Sequence, residues 1–148
     1  VKEHLFGVPL SDGWADAREI DEFGSIAAET NGVPCVWLAD RGLSDPDEDA
    51  DGDTRTNGEE YLAGTDPTDD GSTFRILGIA QDGSGLVVTI CGNDSGAPAP
   101  YVIERCSSLA DGFEAYDTVA RGTAPGNTVY SDDAPPAGAA FYRVKAVP

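Results

Sequence analysis

Asp49-Ala50-Asp51-Gly52-Asp53-Thr54-Arg55-Thr56-Asn57-Gly58-Glu59-Glu60 is the stretch on which the reading of the whole chain turns. Carboxylates fall on three alternate residues, and a fourth, Glu60, stands at position 12 counted from Asp49. Alternate side chains of a tight loop point inward together, so Asp49, Asp51 and Asp53 converge while the longer Glu60 closes the far side. Oxygens so placed suit a hard divalent cation, which takes about six to eight of them. The backbone carbonyl of Arg55 falls at position 7, and Asn57 at position 9 reaches the ion directly or through water. A frame beginning at Asp47 gains Gly52 at position 6 but puts Gly58 at position 12, where no carboxylate closes the loop. The frame from Asp49 is therefore preferred, with one defect. Its position 6 is Thr54, and a β-branched residue at positive φ is strained by roughly 1–2 kcal/mol.

This is the EF-hand spacing, and the cation it implies is Ca2+. The surrounding charge agrees. Residues 40–70 hold twelve carboxylates against two arginines, within a chain whose formal charge is −18. Composition alone would also fit a solvated, disordered acidic run; the regular spacing decides for a segment that something cationic neutralises. The same charge repels nucleic acid and anionic lipid, which sets both aside as partners. Beyond the loop, Glu59–Ala63 reads as a short helix ended by Gly64, after which Thr65-Asp66-Pro67-Thr68-Asp69 turns back with further carboxylates. Asp66 and Asp69 are candidates for a second ion, with Asp45 and Asp47 in the same crowded region; an ordinary surface turn explains them equally well.

Outward from the loop the chain divides near Gly71. Residues 1–72 are rich in Asp, Gly and Pro with short helical stretches, whereas 73–148 read as strands separated by Gly, Pro, Asn and Asp. The expected strands are Phe74–Ala80, Leu86–Cys91, Tyr101–Cys106, Phe113–Ala120, Thr128–Ser131 and Ala140–Val147. In the last, Phe141, Arg143 and Lys145 alternate with Tyr142, Val144 and Ala146, so one face is expected to be buried. The fold expected is mainly β: an Asp-rich calcium-loop module with short helices over 1–72, then a β-sandwich-like domain over 73–148.

Cys35, Cys91 and Cys106 show no Cys-x-x-Cys spacing, which argues against a zinc or redox motif. A simple hairpin around residues 92–100 would pair Cys91 near Tyr101 and Cys106 near Leu86, so a disulfide between them would need another geometry. Asn93-Asp94-Ser95 matches the N-glycosylation acceptor pattern, which recurs often by chance. The chain has no methionine, so Val1 is read as the start of a mature form or of a piece of something longer. Its apolar runs, such as Leu86–Cys91, are far shorter than the roughly 20 residues of a membrane helix. Its one histidine, His4, lies at the N-terminus, which disfavours a Ser, His, Asp triad; the chain is expected not to be an enzyme.

The first part carries a degenerate repeat of about 20 residues: Asp12–Glu19, Asn31–Leu38 and Asp53–Glu60, each a loop leading into a helix. Only the third keeps its ligands; Leu38 replaces the closing Glu of the second, and Val8 and Leu10 stand where the first needs carboxylates. Gly32-Val33-Pro34-Cys35-Val36-Trp37-Leu38, Asp49–Asp53 and Asn57-Gly58-Glu59-Glu60-Tyr61-Leu62-Ala63-Gly64-Thr65-Asp66-Pro67-Thr68-Asp69 together resemble thrombospondin type 3-like calcium repeats of secreted bacterial proteins. The likeness covers residues 31–70, and Thr54 and Cys35 depart from it. It implies liganding by Asp49, Asp51, Asp53 and Glu60, then Asp66 and Asp69, and a module that binds calcium and stiffens an extracellular protein. Tyr101-Val102-Ile103-Glu104-Arg105 and Phe141-Tyr142-Arg143-Val144 look like the small β-domains that follow such repeats, and more loosely like fibronectin type III.

The expected role is thus an extracellular calcium-binding module that rigidifies a secreted or cell-surface protein. Two alternatives stand beside it. One is a self-assembling subunit of an extracellular filament or surface layer, burying Val1–Leu10 against a neighbour. The other is a carbohydrate- or protein-binding accessory module, which would show exposed aromatics at Tyr116 or Tyr130.

Overall fold

The computed structural model describes residues 29–148. His4, Val1–Leu10 and the first repeat copy at Asp12–Glu19 lie outside the described residues. The second copy begins at a two-residue hairpin, β1 (Glu29–Thr30) and β2 (Val33–Pro34), turned by Asn31 and Gly32 with φ of 48° and 77°. Positive φ at both central residues is what Asn-Gly tolerates best and what a tight antiparallel turn needs. Helix α1 (Cys35–Ala39) follows at once. Its Leu38 is 2% exposed and joins Trp37 and Val33 in a small core flanked by Leu43 and Tyr61. Where the third copy has Glu60, the second thus has an apolar side chain that packs into a core. Helix α2 (Asn57–Ala63) begins two residues earlier than the sequence reading, because Thr56 and Glu59 form a capping box. It ends at Gly64, whose φ of 69° is the left-handed cap that glycine adopts without strain.

All six expected strands form: β3 (Arg75–Asp82), β4 (Gly85–Cys91), β5 (Tyr101–Cys106), β6 (Glu114–Val119), β7 (Thr128–Asp132) and β8 (Phe141–Lys145). They make two antiparallel three-stranded sheets, β3-β4-β7 and β6-β5-β8. Val88, Ile90 and Tyr130 of the first sheet and Tyr101 and Ile103 of the second bury themselves in one shared cluster. The alternation of β8 holds, with Tyr142 and Val144 packed against this cluster and Phe141, Arg143 and Lys145 exposed.

Cys91 and Cys106 are not in a hairpin. Residues 92–100 carry the chain from one sheet to the other, so Cys91 lies across from Arg75 on β3, and Cys106 across from Phe141 on β8. The reason is in the intervening segment, whose Asn93 and Ala97 N–H groups bond to the Gly64 and Tyr61 carbonyls at the end of α2 (3.0 and 2.8 Å) rather than across a hairpin. All three cysteines are free thiols. Tyr116 bulges out of β6, where the β5 register shifts between Ile103 and Glu104, and is 44% exposed with the Arg105 guanidinium 3.4 Å from its ring centroid. Tyr130, by contrast, is core.

Replacing Ile103, 1% exposed at the centre of the cluster, by Ala should cost about 2–5 kcal/mol in urea unfolding with an unchanged denaturant slope. A cost below about 1 kcal/mol would mean the two sheets do not share a core.

Candidate metal centre

The loop before α2 is tied to that helix at three points. Asn57 donates its backbone N–H to the Glu48 carbonyl (2.7 Å) and its side-chain amide to the Asp45 carbonyl (2.7 Å), while Gly58 N–H reaches the Pro46 carbonyl (2.8 Å). Inside the loop the backbone holds each aspartate in place. Asp49 accepts from the N–H of Gly52 (2.7 Å) and of Thr54 (3.0 Å), Asp51 from Asp53 N–H (3.1 Å), and Asp53 from Arg55 N–H (2.7 Å). Turning this tightly requires positive φ at Gly52 (84°) and also at Thr54 (80°), the residue the Asp49 frame puts at the sharp turn.

The three aspartates offer ligand atoms that all lie within 4.8 Å of one another, and this cluster could hold a metal ion. One oxygen each of Asp51 and Asp53 is used by the backbone; the other, Oδ2, is buried without any hydrogen-bond partner. Glu60, on the first turns of α2, is 1% exposed, and neither carboxylate oxygen has a partner. Asn57 is fully buried and its Oδ1 is likewise unpartnered. Six buried side-chain atoms lack a partner among the described residues, and five are acceptor oxygens of residues 51–60. Each such group costs about 1–3 kcal/mol, so the arrangement calls for a cation or another donor.

Electrostatics tie these oxygens together. Burial, then the charge of Asp51 and the weaker charges of Asp53 and Asp66, push the Glu60 carboxyl up to about 7. The Thr65 hydroxyl beside it favours ionisation without standing in hydrogen-bonding geometry. Asp51 is also raised, by burial first and then by Asp53, Asp49 and Asp70, against the stabilising Asp53 N–H. Glu60 does not belong to the 4.8 Å aspartate cluster but feels its charge from the helix side. Among the described residues, the unpartnered groups of this segment are all acceptor oxygens.

The remaining sequence candidates fall elsewhere. The Arg55 side chain is exposed and loosely paired with Glu59 at 3.8 Å, leaving only its carbonyl as a ligand. Asp66 accepts from the N–H and hydroxyl of Thr68 (3.1 and 2.8 Å), and Asp69 from Gly71 N–H (3.0 Å); both are exposed turn residues outside the cluster. Asp45 and Asp47 are engaged with Asp47 N–H and the Asn31 amide, both at 2.9 Å. Asp70 reaches the field of Asp51 although 19 positions separate them in sequence, which only the 65–72 turn makes possible. Asn93 of the glycosylation triplet is partly buried, with its Oδ1 accepting from Ser95 N–H at 2.9 Å. No protein family, curated protein or solved structure matches the chain.

Two outcomes follow from this geometry. Glu60 is raised when folded, so metal-free protein keeps the benefit of its neutral form below about pH 4.5 and loses it as pH rises through about 7. Urea melts in chelator should show stability falling across that interval, and falling less in Glu60→Gln; equal slopes would contradict the burial of this charge. Thr54→Gly should raise stability by about 0.5–1 kcal/mol, because roughly 1–2 kcal/mol of left-handed strain exceeds the entropy cost of glycine. A lowered melting temperature would show the turn to be unstrained.

Proposed function

We propose that this chain is an extracellular calcium-binding structural module, in which the 49–60 loop takes up Ca2+ and thereby fixes an acidic segment on a β-sandwich-like domain. The observation that carries the reading is the set of five buried, unpartnered oxygens on Asp51, Asp53, Asn57 and Glu60 facing one loop. With Asp49, the Arg55 carbonyl and a bidentate Glu60, the loop supplies up to about seven oxygens. That number suits Ca2+, whose shell is large and flexible; Mg2+ demands about six at shorter, near-octahedral distances and gives up its waters reluctantly. Four carboxylates around one divalent ion favour binding, while the strain at Thr54 opposes it. A site of moderate affinity works where calcium is millimolar, which supports a secreted or cell-surface setting. The resemblance of residues 31–70 to thrombospondin type 3-like repeats points the same way. No helix among the described residues is long and apolar enough to cross a membrane.

A second reading, a self-assembling subunit, has one observation in its favour. Strand β3 lies at the edge of its sheet with Leu77 and Ile79 about half exposed, and an open apolar edge is a template for pairing with another chain.

Calorimetric titration of chelator-treated protein, with light scattering before and after, separates these readings. Ca2+ should bind at one site and raise stability by about 2.7 kcal/mol at a hundredfold excess over Kd, and Glu60→Gln should lose most of that gain. Growth in size would favour the assembling subunit. No heat of binding, or an unchanged calcium response in Glu60→Gln, would overturn the assignment.

A further inference from the structure

The last four carbonyls of a helix have no partner within it, and in α2 the β-domain supplies one to each of the carbonyls at this end. Tyr61 O accepts from Ala97 N–H (2.8 Å), Leu62 O from Arg121 Nη2 (2.6 Å), Ala63 O from the Tyr101 hydroxyl (2.6 Å) and Gly64 O from Asn93 N–H (3.0 Å). Arg121 is itself held by donating Nε to the Ala99 carbonyl (2.6 Å), and it lies 4.4 Å from the Tyr101 ring centroid. The joint has no slack. A Cβ on Gly64 would come within 2.1 Å of the Asn93 carbonyl oxygen, and one on Gly96 within 2.0 Å of the Tyr61 carbonyl oxygen.

Glu60 immediately precedes this gripped segment, and its own carbonyl closes the helix by accepting from Gly64 N–H (2.7 Å) and Thr65 N–H (3.1 Å). The helix has seven residues, so any slide or tilt of its C-terminal end is passed to the Glu60 side chain almost undiminished. Calcium–oxygen distances span only about 0.3 Å, so a shift on the order of 1 Å turns bidentate closure into one contact or none.

We propose that Tyr101 and Arg121 are positioning residues of the metal centre, holding α2 by its carbonyls so that Glu60 stands opposite the three aspartates. The proposal rests on the reading of the 49–60 loop as a calcium site. It makes the β-domain part of that site: an isolated 29–72 segment would carry every ligand and still lack the grip that places Glu60. By linkage, whatever factor Tyr101 and Arg121 add to calcium affinity, calcium adds to the strength of their hold on α2.

The test uses the full chain and its Tyr101→Phe, Arg121→Ala and Arg121→Lys variants, with Ile103→Val as a core control. Calcium affinity is measured by competition with a chelating dye, and unfolding is measured in calcium and in chelator. Tyr101→Phe and Arg121→Ala should bind calcium about 5- to 20-fold more weakly. Their loss of stability should be greater with calcium than without it by the same factor, and Arg121→Lys, which keeps a donor and the charge, should recover part of the affinity. The control should lose stability equally in both conditions and bind normally, as a purely structural role would predict. Wild-type binding that depends on Glu60, with unchanged affinity in folded Tyr101→Phe and Arg121→Ala, would overturn the proposal and leave the calcium site standing. Wild-type protein that binds no calcium would overturn both. If Arg121→Ala does not fold, Tyr101→Phe, which removes a single oxygen, decides.

Discussion

Seven residues of helix stand between a nest of carboxylates and the core of the β-domain, and backbone hydrogen bonding commits both ends of them. At the N-terminal end, Thr56 and Glu59 cap one another's backbone, and residues 57 and 58 are tied to carbonyls of the preceding turn. At the C-terminal end, donors from the loops after β4 and β6 and from Tyr101 on β5 take the exposed carbonyls. An isolated helix this short would be marginal in water, since nucleation is costly and propagation has no length in which to repay it. Its existence here depends on those end contacts, and the place of Glu60 depends on its existence. The small core around Trp37 and Leu38 reinforces the arrangement through the edge-on contact between Trp37 and Tyr61, whose ring centroids are 5.1 Å apart.

The way this chain treats its other buried carboxylates shows that the unpartnered oxygens of the loop are not a general looseness. Asp132, 2% exposed, accepts from Arg105 (2.6 Å), the Tyr142 hydroxyl (2.7 Å) and Ala134 N–H (3.0 Å). Burial disfavours its ionisation, yet the hydrogen bonds from Tyr142 and Arg105 hold its carboxyl below the usual range. Glu104, 6% exposed, is met by Lys145 at 2.6 Å and by Arg143. In the β-domain both of these buried acids thus have a cation, Asp132 on β7 from Arg105 of the opposite sheet and Glu104 on β5 from the paired strand β8. In the 49–60 segment the same chain buries five acceptor oxygens on Asp51, Asp53, Asn57 and Glu60 without a partner, and supplies backbone N–H groups to only half of the Asp51 and Asp53 oxygens. The backbone fixes Asp51 and Asp53 by one oxygen each and leaves the other unpartnered, so the loop keeps its shape while its charges remain uncompensated.

That contrast bears on how charge is distributed. A formal charge of −18 on 148 residues is tolerated where carboxylates are solvated, as at Asp66 and Asp69, each occupied with its own turn. It is most concentrated where the 65–72 turn brings Asp66 and Asp70 into the field of Glu60 and Asp51. A bound cation relieves several of these repulsions together, which is why a single ion can matter to a chain so acidic.

Much of this was legible in the sequence, because the relevant constraints are local. Alternating polarity places the strands to within a residue or two, and the αL demand at Gly64 ends α2 where a glycine stands. The aspartates at 49, 51 and 53 come together in one loop, as their alternate spacing implies, while Glu60 stands beside them on α2. The frame beginning at Asp49 even locates the strained residue, Thr54. Sequence could not say that β4 and β5 enter different sheets, because hairpin and crossover differ in long-range pairing and not in the pattern of either strand. Nor could it say that Tyr101 and Arg121, 38 and 59 positions from the carbonyls they hold, belong to the support of a helix. An unfilled carbonyl looks the same in sequence whether water or a distant side chain will fill it. Only the packed chain, in which water is excluded and every buried acceptor must find a donor or go without, decides which.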